Sequence, residues 1–328
     1  MNYLILGSNS FAGASFIKHL LDKEQQVIGI SRSLQSPSEL LAYGQHRALS
    51  NFVFHQLDIN QHSDALIALI KQKKPNVIVD FAGQGMVAES WQNPEQWYQT
   101  NIVAKVKLHN FLQQCDFLER YIRISTPEVY GHTEHEVQEN TPFSPSTPYA
   151  VSHAAVDMSL LAFYRQYQFP VILTRFANFY GPYQQLYRII PRSIIYALID
   201  KRLPLHGGGT SKRAFIHGQD VASGLDAVIQ RGKCGETYHF SAGEVITIAN
   251  LVRQTCELLG VNFDNFVEIV SDRPGKDAQY FMNTQKTEEE LGWRPKISLQ
   301  EGLSDTIAWV RQHLDSLKIS PLQYVHKV

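Results

Sequence analysis

Short apolar runs alternate with longer amphipathic stretches through the first half of the chain. Tyr3–Leu6, Gln26–Ile30, Phe52–His55, Val77–Phe81, Tyr121–Ser125 and Val171–Arg175 read as strands. Between them Phe11–Lys23, Asp64–Lys73, Pro94–Cys115 and Tyr149–Tyr167 have helical length and patterning. Strands that alternate with helices predict a parallel sheet covered on both faces. Right-handed crossovers then give a doubly wound α/β fold with ligands at the carboxyl ends of the strands. After Arg175 the rhythm breaks: Gly181-Pro182-Tyr183 and Gly207-Gly208-Gly209 mark turns, and irregular sequence separates helices expected at Ile246–Leu259 and Leu299–Leu314. Residues 1–175 are therefore expected to form a dinucleotide-binding domain, completed by segments within 210–245. Residues 176–328 are expected to form a smaller mixed α/β lobe facing the substrate.

Composition narrows the class. The 328 residues are 44% hydrophobic and 19% charged, which suits a large buried core and excludes a disordered or fibrous chain. Thirty basic against 31 acidic residues leave a formal charge of -1, so a generic nucleic-acid binder is not expected. Cys115, Cys234 and Cys256 are far apart and odd in number, giving neither a disulfide framework nor metal-ligand spacing. No apolar stretch approaches the roughly 18 residues that span a bilayer, and Tyr3–Leu6 follows Met1 without a signal sequence. The expectation is a protein without membrane or metal partners, in the reducing cytoplasm.

The first candidate site is the turn after the first strand. Gly7-Ser8-Asn9-Ser10-Phe11-Ala12-Gly13 opens the first helix, where free N–H groups meet a pyrophosphate. Two of three expected glycines are present, and Ser10 fills the middle place with a hydroxyl able to donate. The second strand ends Gly29-Ile30-Ser31-Arg32-Ser33 and lacks the carboxylate that grips the ribose 2′-hydroxyl of NAD. Arg32 suits a 2′-phosphate instead, with Ser31 and Ser33 as donors. NADP is therefore expected ahead of NAD, with Asp58 and Ile59 flanking the adenine. This places a Rossmann-type site at the head of the chain.

The densest chemistry lies between Ser125 and His153. Ser125-Thr126-Pro127-Glu128-Val129-Tyr130-Gly131 closes an apolar strand, and Tyr149-Ala150-Val151-Ser152-His153 opens a helix. Hydroxyls, a carboxylate and a phenol beside a nucleotide-binding sheet suit an enzyme that oxidises a sugar alcohol and then removes a proton. Further blocks accompany them: Phe81-Ala82-Gly83-Gln84, Thr100-Asn101, Asn178-Phe179-Tyr180-Gly181-Pro182-Tyr183-Gln184, Arg213-Ala214-Phe215, Asp272-Arg273-Pro274-Gly275-Lys276-Asp277 and Leu291-Gly292-Trp293. In this order, almost end to end, they resemble the extended short-chain dehydrogenase/reductase family, in particular its nucleotide-sugar 4,6-dehydratases acting on dTDP-glucose and GDP-mannose.

The resemblance implies a mechanism. Tyr149 would act as base on the sugar C4 hydroxyl, which Thr126 holds, while hydride passes to the nicotinamide. Glu128 would remove the C5 proton, water would leave from C6, and hydride would return there to give a 4-keto-6-deoxy sugar nucleotide. Cofactor contacts would come from Gly7, Ser10, Phe11, Gly13, Ser31, Arg32, Asp58 and Ile59, then from Ala82, Gly83, Asn101, Ser125, Tyr149 and His153. Gln84, Asn178, Arg188, Arg213 and Arg273 would hold the nucleotide-diphosphate sugar, with Gly131–Pro148 as a flap over it. The resemblance also implies a homodimer formed through Pro94–Cys115 and Tyr149–Tyr167.

Two positions depart from that pattern. An aspartate that protonates the leaving hydroxyl in dTDP-glucose dehydratases is replaced by Pro127, so Glu128 would serve both steps, as in the GDP-mannose branch. His153 stands where a lysine holds the nicotinamide ribose and lowers the phenol's pKa from about 10. A histidine, with its ordinary pKa near about 6.5, lacks most of that charge at neutral pH unless a carboxylate keeps it protonated. Slow turnover with an alkaline pH profile, or lost redox chemistry, is the expectation. A 4-epimerase or 4-ketoreductase on the same scaffold would not need Glu128; a UDP-glucuronate decarboxylase and a catalytically retired cofactor-binding homologue are the other readings. His206-Gly207-Gly208-Gly209 imitates a lipase oxyanion loop, but no Gly-x-Ser-x-Gly elbow accompanies it.

Overall fold

Seven parallel strands form the central sheet, in the order Thr237–Phe240, Val171–Phe176, Arg120–Ser125, Val77–Asp80, Asn2–Leu6, Gln26–Ser31, Phe52–Gln56. The structure, a computed structural model, describes residues 1–271 and 281–327. Chain direction across the sheet reverses between Asn2–Leu6 and Val77–Asp80, which opens a crevice at the strands' carboxyl ends. Val77–Asp80 and Val171–Phe176 are buried at every position, because helices cover both faces of the sheet. Helices Phe11–Asp22 and Gly218–Arg231 pack together on one face, burying Phe16, Leu20, Val221 and Leu225. On the other face, Leu66, Leu108, Val156 and Leu160 come from helices Ser63–Lys73, Ala104–Leu112 and Pro148–Tyr167.

The predicted strands are present with their ends moved by about one residue, and the doubly wound reading holds. One predicted helix is different. Pro94–Cys115 is not a single regular helix: Pro94–Tyr98 and Ala104–Leu112 flank a π-helical turn at Gln99–Val103. The wider turn seats Thr100 and Asn101 in the interior, and such turns recur at functional sites.

The remaining chain builds a lobe around Leu186, Ile190, Ile194, Leu251, Leu303 and Val310. Asn178–Tyr180, Lys212–His217 and Val245–Thr247 form a three-stranded sheet in it, with Leu203–His206 pairing Val267–Val270 beside it. Gly292 ends helix Gln285–Leu291 in the left-handed conformation (φ +59°), delivering Trp293 against Phe240 at 4.8 Å and onto the Ser223 hydroxyl. Asp272–Asp277, including Arg273, lie outside the described residues. Among the described residues, no helix is long and apolar enough to cross a membrane.

Buried Asp220, on the helix that crosses back to the sheet, accepts hydrogen bonds from the backbone of Lys296 and Ile297, each at 3.0 Å. It ties the approach to the last helix, Leu299–Leu317, to the main sheet layer. Asp220→Ala strands both amides, and urea denaturation is expected to show a loss of about 2–4 kcal/mol.

Candidate active site

A cavity of about 650 Å³ occupies the crevice at the strands' carboxyl ends. Two capped turns deliver its reactive side chains. After strand Arg120–Ser125, Thr126 caps a short 3₁₀ turn, Pro127–Tyr130, by accepting from the Glu128 N–H at 3.3 Å. Pro127 at its first position is pre-set for that geometry, and Gly131 follows at φ +73°, ψ -158°. This backbone region is open only to glycine, and a Cβ there would meet the Ser144 carbonyl. The second turn starts helix Pro148–Tyr167: Thr147 caps it, and the Ser90 hydroxyl accepts from the Tyr149 N–H. Tyr149 and His153, four residues apart, then share a face with ring centroids 4.6 Å apart. Thr126, Glu128, Tyr149 and His153 all line the one cavity.

Tyr149 is strongly perturbed. Burial raises its phenol pKa, and the Glu128 charge raises it further. A hydrogen bond with Thr126 and the cations of Arg188 and Arg123 pull the other way without prevailing.

His153 does not find the carboxylate that sequence reasoning offered it. Its partner is Arg123, whose Nη2 lies 3.0 Å from His153 Nδ1. A guanidinium can only donate, so Nδ1 accepts and the neutral ring carries its proton on Nε2. Burial first, then Arg123, Lys105 and Arg175, hold the imidazole pKa well below its ordinary value. The conditional reading, a carboxylate keeping His153 protonated, gives way to a neutral ring paired with Arg123.

Arg123 belongs to a charge cluster sealed under the site. Asp80 accepts from Lys105 at 2.7 Å, from the Tyr121 hydroxyl at 2.9 Å and from Arg123 at 3.4 Å. Asp157 accepts from Arg175 at 2.9 Å and from the Ser125 hydroxyl at 2.5 Å. Three cations and two carboxylates, none more than 2% exposed, thus sit behind Tyr149 and His153.

The candidate cofactor residues divide into two groups. Ser10, Phe11, Ala82, Gly83, Ser125, Tyr149 and His153 line the cavity. The turn at Gly7–Gly13 is shaped for a diphosphate: Gly7 has φ +82°, and a Cβ on Gly13 would lie 2.5 Å from the Gly7 carbonyl. The residues present fit a dinucleotide, held by backbone N–H groups at the start of Phe11–Asp22. The Ser10 hydroxyl is not the expected phosphate donor, because it caps that helix, donating to the Gly7 carbonyl and accepting from the Gly13 N–H. Asn101 is also corrected. Fully buried, its amide bonds both backbone groups of Gln84 and the Ser152 hydroxyl, so it clamps the loop to helix Pro148–Tyr167.

Ser31, Arg32, Asp58 and Ile59 lie beyond the cavity lining. Ser31 braces the glycine turn through the Asn9 N–H and Ser8 hydroxyl, and Asp58 accepts from the Asn60 N–H. The end of the chain crosses this region. Lys327 accepts through its carbonyl from Arg32 and Gln84 and donates its ammonium to the Ser33 hydroxyl, while His326 stacks on Trp97.

Gln84, Asn178, Arg188 and Arg213 also line the cavity. Sequence reasoning missed Arg192, Tyr187 and His206, which line it too. Arg192 was detectable, since it follows Arg188 by one turn at the start of helix Ile189–Leu198. The Gly131–Pro148 segment does not form the expected flap. Glu136–Val137 pairs with Phe281–Met282, and Gln138, Glu139 and Asn140 line a separate cavity.

Comparison with known proteins agrees with this geometry. The profile of the family described as GDP-mannose 4,6 dehydratase matches residues 4–306. The chain belongs to that family. Its curated relatives include dTDP-glucose 4,6-dehydratase of Haemophilus influenzae, 29% identical over 94% of this chain and 97% of the relative. Human dTDP-D-glucose 4,6-dehydratase is 31% identical over 82% of this chain and 77% of the relative. Against the trifunctional UDP-glucose 4,6-dehydratase/UDP-4-keto-6-deoxy-D-glucose 3,5-epimerase/UDP-4-keto-L-rhamnose-reductase of Arabidopsis thaliana, 30% identical, the chain spans about half the relative's length, 47%. Among solved structures, dTDP-glucose 4,6-dehydratase from Streptomyces venezuelae with NAD bound superposes with a TM-score of 0.88 at 29% identity, covering 96% and 98% of the two chains. UDP-glucuronic acid 4-epimerase from Bacillus cereus, in complex with UDP-glucuronic acid and NAD, gives 0.86 at 25% identity, covering 95% and 99%.

The charge cluster adds a contribution to this family member's stability that grows as pH rises above neutrality. Burial, aided by Arg123, lowers the Lys105 pKa to about 8 against the opposing pull of Asp80. Between about pH 8 and about 10 the unfolded chain therefore holds more protons at this lysine than the folded one, so its contribution to stability rises with pH. Lys105→Met is expected to cost about 3–5 kcal/mol near neutrality. Urea titrations at about pH 7.5 and 9.5 should show the gap to wild type widening by about 1–2 kcal/mol.

Proposed function

We propose that the chain is a nucleotide-diphosphate-hexose 4,6-dehydratase that forms a 4-keto-6-deoxy sugar nucleotide. The observation that carries this reading is the convergence of Thr126, Glu128 and Tyr149 on one cavity, close enough for the Glu128 charge to act on the Tyr149 phenol. A nicotinamide cofactor, when bound, supplies two-electron redox chemistry, accepting the substrate's C4 hydrogen and giving it back at C6. Tyr149 takes the C4 hydroxyl proton while Thr126 holds that oxygen. The C4 carbonyl acidifies C5, and Glu128 takes the C5 proton. Pro127 has no proton to give, so Glu128 passes its proton to the C6 oxygen, which leaves as water; as hydrogen returns to C6, C5 regains a proton, and the proton that Tyr149 took from the C4 hydroxyl balances it. Asn178, Arg188 and Arg213, joined by Arg192, supply donors for the substrate diphosphate.

NADP is the proposed cofactor. Arg32 and the Lys327 ammonium flank Ser33, which supports a 2′-phosphate seat. Calorimetry is expected to show NADPH binding more tightly than NADH, and Arg32→Ala reducing NADPH affinity about 10- to 100-fold with little effect on NADH. The homodimer is proposed on exposed Val103, Val151 and Met158, which lie on the two segments expected to pair.

Product analysis tests the reaction. With NADP and a panel of nucleotide-hexoses, a 4-keto-6-deoxy product is expected, whereas a C4 epimer as sole product would replace dehydratase by epimerase. Glu128→Gln is expected to lower dehydration about 10²- to 10⁴-fold while C4 oxidation, followed by cofactor absorbance, persists. Because the folded site holds the Tyr149 phenol above its ordinary pKa, the reactive phenolate gains population as pH rises. The C4 oxidation rate should climb through the neutral range without a plateau below about pH 9.

A further inference from the structure

We propose that Arg123 is the positioning cation of this site: it fixes His153 through Nδ1 as the neutral Nε2–H tautomer and brings, from the neighbouring strand, the positive charge that a lysine at position 153 would carry. The naming of Tyr149 as the base it serves rests on the dehydratase reading; the pairing itself does not. Arg123 lines the cavity with Tyr149 and His153, and its Nη2 meets Nδ1 at 3.0 Å. Its own place is fixed from behind by Asp80, at 3.4 Å, and by Asp157, with Nε 3.7 Å from Oδ1.

The three cations around His153 leave no room for a fourth. Arg123 comes from strand Arg120–Ser125, Lys105 from helix Ala104–Leu112 and Arg175 from strand Val171–Phe176, all acting against protonation of the ring. Tyr149 is its ring neighbour on the same helix, and the carboxylates of Asp80 and Asp157 are already engaged by those cations. A lysine at 153 would set a fourth cation against two carboxylates. A neutral acceptor suits the place instead, and imidazole has the further property of keeping one N–H for a ligand in the cavity. Arg123 and His153 are therefore a matched pair, with the charge on one member and the ligand-facing donor on the other. The Arg123 charge also acts directly on the Tyr149 phenol, favouring its ionised form.

The test is nitrogen NMR of full-length protein labelled at its histidine side chains, with His153→Gln used to assign the His153 signals. Between about pH 5.5 and about 9 the ring is expected to stay neutral, with Nδ1 unprotonated and Nε2 protonated. A ring that titrates near about 6.5, or that carries its proton on Nδ1, overturns the proposal. In Arg123→Met the Nδ1 atom loses its donor, so its signal should shift and the Nε2–H tautomer should no longer be held exclusively; unchanged signals would also overturn it. If that variant does not fold, stability of the double variant decides the pairing. Arg123→Gln/His153→Lys should melt higher than the sum of the two single changes predicts, and strict additivity counts against the pair. None of these readouts needs a turnover assay, so a protein inactive on every nucleotide sugar would end the dehydratase reading and leave this one standing or falling on its own spectra.

Discussion

Asp80 and Asp157 hold the active-site floor together. Each ends or adjoins an element pointing at the cavity, and each is surrounded by donors from other elements. Asp80 closes strand Val77–Asp80 and gathers Lys105, Tyr121 and Arg123, while its second oxygen receives the Ala82 N–H. Asp157 lies two turns into helix Pro148–Tyr167 and gathers Ser125 and Arg175 from two strands. Burying five charges costs far more than it returns unless every partner is present. The cluster therefore acts less as a source of stability than as a demand that strands, π-helical turn and helix meet in one register.

Above that floor, placement comes from short-range polar chemistry. Thr126 and Thr147 cap the two turns that carry Glu128 and Tyr149, and Asn101 locks the post-strand loop to the helix that Thr147 caps. Several hydroxyls and amides in the motif blocks are thus spent on architecture. Motif residues of this sort are required by the fold as firmly as by a ligand, and only their hydrogen-bond partners separate the two roles.

Much of this was legible in the chain. Uninterrupted apolar strands spaced by amphipathic helices declare a doubly wound sheet, because a strand buried on both faces has no polar positions to spare. Thr126, Glu128 and Tyr149 were legible because short capped turns translate sequence spacing directly into spatial proximity. The Ser10 hydroxyl and Asn101 were assigned to ligand because sequence gives residue type and not partner. Arg123 was passed over for the same reason: a lone arginine in Arg120–Ser125 gains meaning only when the register sets it opposite Asp80. The π-helical turn at Gln99–Val103 and the pairing of Glu136–Val137 with Phe281–Met282 depend on tertiary contacts that no local pattern announces.

The position of the chain's last turn has a practical side. Lys327 rests between Arg32 and Gln84, at the edge of the cleft, whereas Met1 is 64% exposed and precedes a strand that runs toward the cavity from the opposite rim of the sheet. Affinity handles, fluorophores or surface tethers joined ahead of Met1 are therefore kept a full strand length from the chemistry. The same attachments carried on the Lys327 side chain would sit at the doorway itself, and measurements made with them would report on the attachment as much as on the enzyme.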